Sequence, residues 1–229
     1  MTRPKRFAVS SKRFAVRFVP ASIAIWLAAV ATPSAALAAT AEDKTQFSVV
    51  AGSLAFSTTP AMPTLSSVTI SGAAQTTNTT MTNFGVADAT GSGSGWNVTV
   101  AGQAGTGKSA VFKQYCPTAT CGSDTEGYVT GGATLPANSL TLNSTGANFA
   151  AQGGTTGTAP TLQCSTACDV DSASAVKIAS AAANAGMGTW LTSGWSGTSL
   201  ALSTPSTLKA LSNGEVYRVN LLWTLSTGP

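Results

Sequence analysis

The octapeptide Gly102-Gln103-Ala104-Gly105-Thr106-Gly107-Lys108-Ser109 satisfies the phosphate-loop formula G-x-x-x-x-G-K-[ST] at every required position. Taken alone it points to nucleotide binding. Such a loop works by setting backbone amides and the start of a long helix against phosphate, with a downstream acidic residue for magnesium. Neither support is visible, because Cys116 and Pro117 arrive within two turns of Ser109 and the preceding run alternates as a half-exposed strand does. Acid-base chemistry has two close carboxylate pairs to draw on, Asp124 with Glu126 and Asp169 with Asp171. Glycoside hydrolysis needs carboxylates facing each other across a cleft, whereas residues two apart on a strand point the same way. Both pairs read as solvated loop charges, with a weak calcium site as the alternative for Asp169 and Asp171. The chain has no histidine, which removes Ser-His-Asp and Cys-His devices and His-ligated metals. No enzyme activity, resident metal or cofactor is expected.

Cys116, Cys121, Cys164 and Cys168 form two close pairs. In an oxidising compartment an even count reads as disulfides, and four cysteines allow three pairings. Short separations close most readily, which favours Cys116 with Cys121 and Cys164 with Cys168. A tetra-cysteine zinc site is the alternative, but it fits an intracellular protein better. Trp190 and Trp195, in GTWLTSGWSG, lie among glycines and serines with no evident strand face to occupy. Exposed rings of that kind stack on sugars; the other course is to fold inward as loop plugs. Tyr128, in EGYVTGG, is a weaker member of the set. Sequons at Asn78, Asn97 and Asn143 carry little weight in so threonine-rich a chain.

The 229-residue chain is 43% apolar and only 9% charged. Its basicity is concentrated at one end, where Arg3, Lys5, Arg6, Lys12, Arg13 and Arg17 hold half of the 12 basic residues. The remainder has six cations against eight carboxylates, a net of −2. That balance argues against nucleic acid and against anionic lipid as partners. The basic start runs into an uncharged apolar stretch from Phe18 to Ala41, flanked by Pro20 and Pro33, and then into small residues. This is the pattern of a signal peptide, cut after Ala38 within Ala36-Leu37-Ala38, with Ala41 as the fallback. Residues 39–229 then form one exported domain with no stable membrane insertion. No covalent or lipid anchor is evident, so a surface location requires non-covalent contacts.

Beyond the leader, short alternating apolar runs separated by Gly, Ser, Thr, Asn and Pro give the all-β pattern. The expected strands are 47–56, 67–71, 96–101, 110–115, 139–142, 175–179, 198–202 and 216–226, with one or two helical turns over 179–185 and a loop over 146–160. In the last strand Tyr217, Val219, Leu221, Trp223 and Leu225 share a face, and only Leu222 breaks the alternation. Trp96, Val98 and Val100 repeat the pattern. Stripes of this kind on two facing sheets predict a single antiparallel β-sandwich, Ig-like or jelly-roll-like.

The segments GSGSGWNVTV at 91–100 and YRVNLLWTLSTGP at 217–229 make the chain resemble the WxL-domain family, exported surface modules of Gram-positive bacteria. Trp223-Thr224-Leu225 matches the motif, whereas Trp96-Asn97-Val98 carries valine in place of leucine. The resemblance implies non-covalent attachment to the cell wall through peptidoglycan and assembly with other exported surface proteins. It marks Trp96, Val98, Trp223 and Leu225 as motif positions, and their alternation points to core residues, which would leave the ligand surface elsewhere. A structural or adhesin-type subunit that binds a partner protein through a sheet edge or face is the alternative.

Overall fold

Valine, leucine and tryptophan at every second position, with threonine or asparagine between, make a ribbon with one wet and one dry face. In the computed structural model, which describes residues 42–229, this pattern produces an all-β fold. The leader expected over residues 1–38 lies outside the described residues. In chain order the strands are β1 (Leu54–Thr58), β2 (Gln75–Thr79), β3 (Gly85–Asp88), β4 (Trp96–Gly102), β5 (Lys113–Cys121), β6 (Asp124–Tyr128), β7 (Leu140–Leu142) and β8 (Asn148–Gln152). They continue with β9 (Thr161–Leu162), β10 (Cys168–Asp169), β11 (Val176–Ala181), β12 (Gly188–Ser193), β13 (Leu200–Thr204), β14 (Val216–Arg218) and β15 (Leu221–Thr227).

Two four-stranded antiparallel sheets, ordered β1-β3-β12-β8 and β15-β4-β11-β9, face each other across the core. Aromatic rings join them. Phe84, at the foot of β3, lies 5.7 Å from Trp223 of β15, and Phe149 of β8 lies 5.9 Å edge-on from Trp96 of β4. A third sheet, β10-β7-β13-β2, adds Leu140, Leu142, Leu200 and Leu202 to the same core. A three-stranded sheet, β14-β5-β6, stands beside it. The expected β-sandwich is what the residues build.

The two tryptophan-bearing strands are direct neighbours. Val98 pairs with Leu225 and Val100 with Trp223, which aligns the dry stripes of β4 and β15 on one side of the sheet. On the opposite side of β4, β11 carries a bulge between Lys177 and Ala179, so that consecutive Ile178 and Ala179 both point inward.

Several sequence expectations are corrected. Residues 179–185 are not helical, since β11 runs to Ala181 and then turns through Asn184 at φ 62°. The 146–160 loop contains β8, held by five paired residues of β12. Of 47–56 only the end from Leu54 is strand, and 67–71 is none. The long final strand is broken at Val219–Asn220, because β14 pairs with β5 and β15 pairs with β4.

Candidate functional site

The motif positions divide by depth. Trp96 and Val98 are fully buried, and the Trp96 indole N–H donates to Gly186 O at 3.1 Å. Trp223 and Leu225 are half-buried and pack against that core from the outermost strand of the sheet. Trp190 is only 4% exposed; it lies on β12 with its ring turned inward and its N–H on Met187 O at 3.0 Å. The open indole that its glycine-rich surroundings suggest is therefore absent, because β12 is an interior strand whose burial alternates through Trp190 and Thr192. Trp195 is half-buried, and its N–H donates to the Thr192 hydroxyl at 3.2 Å. That hydroxyl also bonds both backbone groups of Phe84, which fixes the loop holding Trp195 to the core.

The cysteines pair locally, Cys116 with Cys121 and Cys164 with Cys168. The first bridge spans a bulged stretch of the β5-β6 hairpin and holds that hairpin rigid. The phosphate-loop match is a tight turn: Lys108 N bonds Gly105 O, and Ser109 is clamped to Asn220 through Ser109 N to Asn220 Oδ1 and Asn220 N to Ser109 O. No helix follows it among the described residues. Gly102 is required there because a Cβ would stand 2.1 Å from Ala110 O. Asp171 is buried and accepts the amides of Ser139 and Leu140 at 3.1 and 3.0 Å, while Asp169 is exposed. Burial raises the Asp171 carboxyl above the usual carboxylate range, against the pull of those amides. Its role is to hold the start of β7. Asp124 and Glu126 lie on strand β6 rather than in a loop.

Tyr128 joins a cluster that its own sequence context does not disclose. Lys113 and Tyr115 on β5, Arg218 on β14 and Tyr128 on β6 share the outward face of the three-stranded sheet, with Arg218 paired to Lys113 and Tyr115 to Tyr128. The Arg218 guanidinium lies 3.9 Å over the Tyr115 ring, which meets Tyr128 edge-on at 5.0 Å. The Tyr128 hydroxyl donates to Asn220 Oδ1 at 2.6 Å, so the Ser109 turn and this face are one rigid assembly. Burial raises the Tyr128 phenol above its usual value, with Arg218 opposing. On the other face of the sheet, Gln114 is buried and bonds the Glu215 carboxylate at 2.8 Å. In a domain with so few charges, two cations beside two tyrosines are a concentration of chemistry. The signal in the sequence was the two-residue spacing of Lys113 with Tyr115 and of Val216 with Arg218, legible only once β14 is known to lie beside β5.

The described residues thus form a sandwich sealed by neighbouring tryptophan strands and carrying an aromatic and cationic face. The chain belongs to the WxL family: the family model described as WxL domain surface cell wall-binding matches residues 46–229. That places the protein at the cell surface, in a family of wall-binding domains rather than of enzymes. No curated protein and no solved structure matches the chain. Among the described residues, no helix is long and apolar enough to cross a membrane.

Proposed function

We propose that the exported domain attaches non-covalently to peptidoglycan through the outward face of β14-β5-β6. The family match supports wall binding, and the packed set of Arg218, Tyr115 and Tyr128 supports the location. Tyrosine rings offer apolar faces to sugar rings. Lys113 and Arg218 stand where the carboxylates of the stem peptides would meet them, and Arg binds such groups in a planar fork. The cluster is already held by the Asn220 and disulfide contacts, so little side-chain freedom is lost on binding. The half-buried Trp195, anchored through its N–H to the buried Thr192, is a second point for sugar contact.

Co-sedimentation with purified peptidoglycan sacculi tests this. The protein is expected in the pellet, less so as salt rises. A Lys113→Ala/Arg218→Ala double variant is expected to bind about tenfold more weakly with its melting curve little changed. A wild-type protein that stays in the supernatant overturns the peptidoglycan reading. A double variant that pellets like wild type overturns only the location.

A further inference from the structure

The residues ahead of β1 belong to no strand and are bare. Val49 and Val50 are 83% and 89% exposed and Phe47 is 90% exposed, a concentration of open apolar surface unlike anything else in the domain. Backbone pairing begins only where Gly52 N bonds Ala89 O. Phe47, Val49 and Ala51 alternate as one strand face, and Val50 is the apolar residue on the other.

A matching vacancy lies elsewhere on the domain. A cleft of about 970 Å³ is walled by Leu65, Leu140, Leu200, Leu221 and Trp223, with room for several side chains rather than one. Beside it runs β15, which bonds β4 on one side only. Among the described residues no backbone hydrogen bond joins its outer edge to another segment. Along this edge there is no lysine, proline or bulge to discourage pairing, although β1 packs close to part of β15. It also has the same pattern as the arm: Leu221, Trp223 and Leu225 on the inner face and Leu222, 47% exposed, on the outer.

The two features lie at opposite ends of the sandwich. Leu54 pairs with Asp88 at the end where the 89–95 loop crosses between sheets, so Ser48–Ser53 depart from that end. Leu221 pairs with Gly102 at the other end, where the cleft is. To enter its own cleft the arm would have to reverse and release Gly52 from Ala89. In a second copy no reversal is needed.

We infer that the segment around Phe47–Ala51 of one copy adds as a strand to the β15 edge of the next, with Phe47 and Val49 in the cleft beside Trp223 and Val50 against Leu222. Strand addition supplies backbone bonds, and alternate side chains in the cleft set the register. The contact joins unlike surfaces, so it repeats head to tail into open chains instead of closing as a dimer. It leaves Lys113, Tyr115 and Tyr128 open, and although Arg218 borders the cleft, its guanidinium lies over the Tyr115 ring.

Sedimentation velocity on the purified protein tests this. Wild type is expected to form a concentration-dependent ladder of oligomers. Phe47→Asp/Val49→Asp, at exposed positions, is expected to be monomeric with unchanged melting. Leu222→Lys is expected to weaken self-association tenfold or more. A mixture of the two variants has one good arm and one good edge, and should stop at heterodimers. Wild type that remains monomeric throughout, or oligomers that survive the arm substitutions, would overturn the inference. Sacculus binding by the arm variant, measured in parallel, reports on the wall-binding reading separately.

Discussion

Trp96 is held on every side, and the residue that closes over its indole is a glycine. At Gly186 φ is 69°, and a Cβ there would stand 2.4 Å from the Ala181 Cβ and 2.7 Å from the Trp96 Nε1. Both atoms belong to buried side chains with nowhere to retreat. Gly186→Ala should therefore cost about 2–4 kcal/mol, read as a lower urea midpoint, from left-handed backbone strain and overpacking together. Asp171 gives a prediction of a different kind. Its carboxyl is raised by burial, so the folded chain holds the proton more tightly than the unfolded chain does. Its contribution to stability is complete below the ordinary carboxylate pKa and is lost as pH climbs through the raised one. Asp171→Asn has no such step. The stability difference, wild type minus variant, should shrink as pH rises from about 3 to about 7, and a difference that grows instead would show that the fold prefers the charged form.

At the level of strands and loops, what could be read from the chain depended on how far each signal reaches. β4 and β13 have clean two-residue alternation and were plain. β15 was plain too, but its union with β14 was not, because the change of partner at Val219–Asn220 depends on where β5 lies. β12 was hidden by flanking glycines that suggest a loop, although Trp190 and Thr192 mark its inner face. β2 and β8 carry mostly polar or small residues and form because a neighbouring strand offers them bonds. The aromatic and cationic face was missed for the same reason, since its four side chains come from three strands. The local disulfides were readable from spacing alone. Cys164–Cys168 closes so short a loop that its removal should be modest. A Cys164→Ala/Cys168→Ala variant should lose about 2 kcal/mol and keep its fold, checked by calorimetry. A collapse of the whole domain would show that this bridge holds the core rather than the turn beside β9.

For the molecule as a whole, the proposed wall-binding and self-association surfaces meet at Arg218 and are otherwise distinct, so a single copy would hold sacculus and neighbour at once. The affinity of such a string for a wall exceeds that of one domain without any new contact, provided its spacing suits the glycan. Salt should loosen the grip on the wall, where cations act, far more than the grip between copies, where the contacts are apolar. The pairing of β15 with β4 has a last consequence. Residues 96–102 find their neighbour only at 221–227, and β4 cannot seal Trp96 beneath a finished sheet until that late ribbon arrives. While the chain threads through a pore or leaves a ribosome, this domain is expected to stay open along one side until residues 221–227 have emerged. A copy lacking residues 221–227 is expected to leave β4 without that neighbour and to be cut readily by proteases.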